Sequence, residues 1–127
     1  MCMDIAITLK ELGVYESYCE CLRECVKLND RRFGPDNDFS KRNAKELRRF
    51  MQRQRVLVDF VNEIPDPEIR KIIKLRFQKR YHWNKVNRLV YGYPDYCYSR
   101  IRFNRYFKKN ADKVAELEEA LSRCTGA

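Results

Sequence analysis

The apolar positions of this 127-residue chain fall into helical rhythms. Leu12, Tyr15, Cys19, Leu22 and Val26 recur at intervals of three and four residues, a narrow stripe on one face of a helix. The pattern predicts a first helix over residues 5–29, weakened early by Gly13. The polar run DRRFGPDNDFS then breaks it, and Gly34-Pro35 is a strong turn signal. Ser40 is the expected N-cap of a second helix ending near residue 63. Its stripe is Leu47, Phe50, Gln54, Leu57 and Val61, widened by Met51 and Val58. Two such helices joined by a short loop predict an antiparallel hairpin or a dimerising arm.

The clearest boundary lies in IPDPEIRKIIKLRFQ. Asp66 suits an N-cap, Pro67 suits the first helical position, and Glu68 favours the positive end of the helix dipole. Ile69, Ile72 and Ile73 form the inner stripe, with Leu75 and Phe77 at its flanks. KRYH ends this helix. A short helix follows over 83–90, with Trp83, Val86 and Val90 on one face. In YGYPD, Gly92 can take positive φ and Pro94 forbids a continuous helix. Asp95 can cap a last helix running to about residue 110. The stretch 111–124 is helix-prone, carries Val114, Leu117 and Leu121 on one side, and can continue that helix. No repeat and no strand pattern occurs. The expected fold is all-α: a hairpin or oligomerisation arm (1–63), a helix-turn-helix unit (64–110) and a C-terminal helical tail (111–127).

Charge sharpens this picture. The net +9 is uneven: residues 1–39 hold five Lys/Arg against eight Asp/Glu, residues 40–110 hold 20 against six, and residues 111–127 hold two against four. A basic middle between acidic ends implies a directed positive surface, and nucleic acid is the commonest cellular polyanion.

Three short helices, the last two joined by a tight Gly-containing turn, match the helix-turn-helix plan. In such a unit one face of the last helix packs and the other meets a groove. At 100° per residue, Tyr96, Ser99, Phe103, Tyr106, Phe107 and Asn110 share one side, and Tyr98, Ile101, Arg102, Arg105 and Lys109 share the other. Phe103 and Phe107 assign the first set inward; the opposite choice buries Tyr98 and Ile101. With the first choice, Arg102 and Arg105 are candidates to read guanine edges, and Tyr98 and Ile101 to touch thymine methyl groups or sugar. Lys79, Arg80, Lys85, Arg88, Arg100 and Lys109 are the phosphate candidates.

The segments RKIIKLRF (70–77), WNKV (83–86), YGYPD (91–95) and RFNRYF (102–107) resemble the DNA-binding unit of small sigma-factor-like regulators of phages and prophages, including the ArpU-like late-operon regulators. The resemblance covers about a third of the chain. It implies a sigma-region-4-like helix-turn-helix, transcription control and an N-terminal helical extension. Asn87 stands where the family usually has a small Ala, and the turn is one residue longer than the common form. Double-stranded DNA is the implied partner. RNA polymerase, and a second copy joined through residues 1–63, are the further contacts this reading allows.

Other classes find less support. His82 is the one histidine and has no nucleophile near it in sequence. Asp59 and Glu63, at i and i+4, could hold a nuclease metal, although such pairs more often balance neighbouring arginines. No glycine-rich phosphate loop occurs, so no enzyme and no cofactor are expected. The spacing of Cys19, Cys21 and Cys25 lacks a CxxC knuckle, which makes zinc a weak alternative, and neighbours on one helix suit disulfides poorly; reduced packing thiols are expected, and no metal. No signal-like or spanning segment is seen, and the cytoplasm is the expected compartment. Two alternatives to the regulator stay open: a small-terminase-like DNA-packaging protein, and a helical adaptor that binds protein.

Overall fold

A computed structural model describes residues 4–92 and 98–126. The described residues are all-helical and contain no strand. Helices α1 (Ile5–Leu9), α2 (Glu11–Phe33), α3 (Asp38–Asn62), α4 (Pro67–Ile73), α5 (Trp83–Tyr91), α6 (Tyr98–Lys109) and α7 (Ala111–Ser122) follow in order, with a π-helical turn over Lys74–Gln78 after α4.

The single helix expected over 5–29 is two. Asp4 caps α1, its carboxylate accepting from the Ala6 and Ile7 amides. At Lys10 the chain tightens, the Gly13 amide donating to the Lys10 carbonyl. That turn swings Leu9 and Leu12 into the core, and the burial of two leucines favours the break over helical continuity.

The hairpin of α2 and α3 closes on the central residues of the expected stripes, but Met51 and Val58, expected to widen the second, are exposed. Leu12, Cys19 and Leu22 are buried from α2, and Phe50, Leu57 and Val61 from α3. The rings of Tyr15 and Tyr18 pack on Phe50, with centroids 5.7 and 4.4 Å away. The connection is shorter than expected. Arg31 and Arg32 continue α2 to Phe33, favourably placed at the negative end of its dipole. Gly34 then terminates it at φ 85°.

The N-cap of α3 is Asn37, not Ser40. Asn37 is extended, and its side-chain oxygen accepts from the Ser40 amide at 2.7 Å. Ser40 lies inside the first turn, buried, and its hydroxyl donates to the Val26 carbonyl of α2. Either residue type can cap. The tie to Val26 occupies the Ser40 hydroxyl, and Asn37 takes the cap.

Asp66 caps α4 as expected, accepting from the Glu68 and Ile69 amides, with Pro67 opening the helix. Ile69, Ile72 and Ile73 are wholly buried. The π turn then inserts one extra residue per turn and aims Phe77 inward. Arg80 closes this segment at φ 63°, a left-handed conformation.

α5 ends at Gly92, φ 88°, whose amide donates to the Arg88 carbonyl. Pro94, Asp95 and Tyr96, assigned above to the turn, cap and inner face, lie outside the described residues. A run of rings crosses from α5 to α3: Trp83 to Phe103 at 6.0 Å, Phe103 to Phe107 at 4.8 Å, Phe107 to Phe60 at 6.2 Å. α6 and α7 are separate helices. Asn110 departs from helical geometry (φ −112°, ψ 40°), and α7 turns back to bury Leu117 and Leu121. Beyond it, Gly126 hydrogen-bonds both Gln52 and Arg48 of α3.

One hydrophobic cluster holds Leu9, Leu12, Leu57 and Val61, then Ile69, Ile72, Phe77, Val86, Phe103 and Phe107, and finally Leu117 and Leu121. Residues from all three expected segments therefore share a core. Among the described residues, no helix is long and apolar enough to cross a membrane.

Candidate nucleic-acid interface

α6 takes its orientation from three buried residues, Ser99, Phe103 and Phe107. The turn-like spacing of these positions places Tyr98, Ile101, Arg102, Arg105 and Lys109 on the outer side, and all five are exposed. Tyr98 and Ile101 are 46% and 43% exposed, large apolar surface on a basic helix. The Tyr98 ring lies 6.1 Å from that of Tyr91 at the end of α5.

The four base-reading candidates are not equivalent. Arg102 is already engaged: its Nη2 lies 2.6 Å from an Asp66 carboxylate oxygen, and its Nε 3.0 Å from Glu68. Asp66 thus caps α4 with one oxygen and binds α6 with the other. Tyr91 lies beside the same cluster, where the Glu68 carboxylate and Arg102 act on its phenol. Burial first, and then the neighbouring Glu68 carboxylate, push the Tyr91 phenol up to about 12. Arg105 has no ion-pair partner among the described residues.

The phosphate candidates Lys79, Arg80, Lys85, Arg88, Arg100 and Lys109 are all exposed. None forms an ion pair among the described residues. Lys85 is held instead over the Tyr81 ring, with its ammonium 3.9 Å from the centroid. The His82 ring caps α5, its Nδ1 accepting from the Asn84 amide.

No family model, no curated protein and no solved structure matches this chain.

A buried polar contact joins α5 to α6. Asn87 is fully enclosed, and its side-chain oxygen accepts from the Ser99 amide at 3.1 Å. Ser99 lies in the first turn of α6, where amides have no partner within the helix. Asn87 therefore does from outside what a local cap does from within.

A second basic feature has no counterpart in the sequence reading. Lys10, Arg76 and Arg80 line a cleft of about 270 Å³ with Val14 and Phe77. Arg76 sits over the Trp83 ring, 5.0 Å from its centroid, and donates to the Tyr81 carbonyl. Gly13 lets α2 approach Phe77 and Arg80 closely at the edge of this cleft. A β-carbon there would collide with the Phe77 carbonyl and lie 2.7 Å from Arg80 Cγ. Lys10 and Arg76 are far apart in sequence, so no local pattern brings them together.

The carboxylate pair Asp59 and Glu63 lies away from these cations. Both line a cavity between α3, α6 and α7, alongside Lys113. Four cysteines are free thiols: Cys19 is buried in the hairpin seam, Cys21 is exposed, and Cys25 and Cys124 are half-buried. Cys2 and Cys97 lie outside the described residues.

Proposed function

We propose that the protein is a sequence-specific regulator of transcription that binds double-stranded DNA, with α5 and α6 as a helix-turn-helix and α6 in the major groove. The observation that carries this reading is the two-sidedness of α6. Ser99, Phe103 and Phe107 anchor it, while Tyr98, Ile101 and Arg105 are exposed on its other side. A 12-residue helix is about 18 Å long, enough to lie in a groove about 12 Å wide.

In this reading Arg105 takes a guanine edge, and Tyr98 and Ile101 take thymine methyl groups. Lys85, Arg88 and Arg100 flank the helix with phosphate contacts, with Lys79, Arg80 and Lys109 further out. Arg102 has to leave Asp66 and Glu68 before it can read a base. Exposed ion pairs of this kind are worth about 0–1 kcal/mol each, whereas a bidentate guanine contact is worth about 1–3 kcal/mol. The exchange is affordable on the right sequence and unfavourable elsewhere, so the acidic pair sharpens selectivity.

The resemblance to sigma-factor-like phage regulators belongs to the same proposal. RKIIKLRF falls on α4 and the π turn, WNKV opens α5, and RFNRYF fills the centre of α6. The hairpin of α2 and α3 is left for RNA polymerase or a second copy.

Selection of bound duplexes from a random pool, read by gel shift, tests the proposal. One preferred sequence is expected to emerge. Binding should fall steeply with salt, log K dropping by about 0.9 per phosphate neutralised for each tenfold increase. Folded protein that fails to bind duplex DNA at low salt rejects the reading.

A further inference from the structure

On a chain with 27 Lys/Arg and 18 Asp/Glu, one surface cavity carries the opposite sign. It lies where the last turns of α3 and α6 meet α7, and encloses about 450 Å³. Small-molecule sites usually span roughly 300–1,000 Å³. Phe60, Ile64 and Leu117 form apolar walls, and Tyr106 enters from α6. Its charged lining is Asp59, Glu63 and Glu116 against Lys113 alone.

Those four charges do not cancel evenly. Lys113 and Glu116 satisfy each other, 3.7 Å apart on α7. Asp59 and Glu63, one helical turn apart on α3, form no ion pair among the described residues. Two exposed carboxylates that form no ion pair among the described residues thus stand at the edge of a cavity with aromatic walls, although Asp59 also borders a neighbouring surface pocket with Arg48 and Arg55. Tyr106 adds a phenol that burial, and secondarily Asp66, keeps protonated above its usual range. Its ring face and that of Phe60 are suited to a cation or to an aromatic body.

We propose that this cavity binds a small amphiphilic cation: an aromatic or branched apolar body carrying a protonated amine. The body lies against Phe60, Tyr106 and Leu117, and the ammonium reaches Asp59 and Glu63. This site is independent of DNA binding, and its test needs no DNA.

The probe is tryptamine, titrated into the full chain by calorimetry and followed by methyl NMR. Saturable binding at one site is expected, with the largest shifts at Leu117 and Ala120. Indole-3-propionate has the same ring and the opposite charge, and should bind at least tenfold more weakly, about 1.4 kcal/mol. Asp59→Asn combined with Glu63→Gln should cost tryptamine a similar factor. Both side chains are exposed, so the variant should melt like the parent. Four results would overturn the proposal: equal affinity for the two probes, an unaltered affinity in the variant, shifts confined to other residues, or no saturable binding.

Discussion

The side-chain oxygen of Asn87 accepts a hydrogen bond from the backbone amide of Ser99, and both residues are fully buried. This contact joins α5 to the first turn of α6 and does so in the interior, where an unmade hydrogen bond is costly. Asn87→Ala should therefore lower stability by about 1–3 kcal/mol, the cost of leaving a buried amide unpaired. Ser99→Ala should be close to neutral, because the Ser99 hydroxyl is buried with no partner to lose. Urea denaturation of the two variants checks this. A damaging Ser99→Ala beside a harmless Asn87→Ala would contradict it.

Gly13→Ala tests the close approach of α2 to the π turn. In an open helix this change gains up to about 1 kcal/mol of helix propensity. Here the new methyl group meets the Phe77 carbonyl, a backbone atom that cannot swing aside. Overpacking of this sort costs about 1–3 kcal/mol and should reverse the sign. A lowered melting temperature is expected; a raised one would show that the two segments separate freely.

Arg102 and Arg105 should differ as DNA contacts, although they lie on the same face. Arg105→Ala should weaken binding to the selected duplex by about 1–3 kcal/mol and relax one position of the site. Arg102→Ala should cost less, because Arg102 first gives up Asp66 and Glu68. Glu68→Gln weakens that hold while leaving the Asp66 cap intact, and should raise affinity for unrelated duplexes. Competition gel shifts with selected and scrambled DNA measure all three.

Tyr91 makes the stability of the protein sensitive to alkali. Its phenol is pushed up to about 12 in the folded chain, against about 10 for an ordinary tyrosine. The folded state therefore holds this proton more tightly than the unfolded state does. The resulting stabilisation is fully present below about pH 10 and is lost as pH rises towards 12. Tyr15, Tyr18 and Tyr106 are shifted in the same direction and add to the fall. Tyr91→Phe should make the decline between pH 10 and 12 shallower without changing its direction, as read from urea midpoints across that range.

Much of the architecture follows from short-range chemistry and is legible in the chain. Asp66-Pro67-Glu68 starts α4 through a cap, a fixed φ and a dipole, all within three residues. The three-and-four spacing of Leu12, Cys19 and Leu22 states which side of α2 is buried. Phe103 and Phe107 do the same for α6, and so place Tyr98, Ile101 and Arg105 outside. These signals act over one or two helical turns, the range in which a sequence pattern can be seen.

What tertiary structure decided lies beyond that range. Asn37 rather than Ser40 caps α3 because Ser40 is drawn to Val26 on the other helix. The break at Lys10 exists because Leu9 finds a core built mainly from residues after 56. Gly13 reads as a weak helix residue until the Phe77 carbonyl is placed against it. Asn87 looks like a departure from a familiar small residue until its oxygen meets the Ser99 amide. Arg102 looks free until α4 brings Asp66 and Glu68 to it. Sequence spacing determines which face a side chain occupies; only the packed chain determines what waits on that face, because hydrogen bonds and ion pairs are made between segments that sequence keeps far apart.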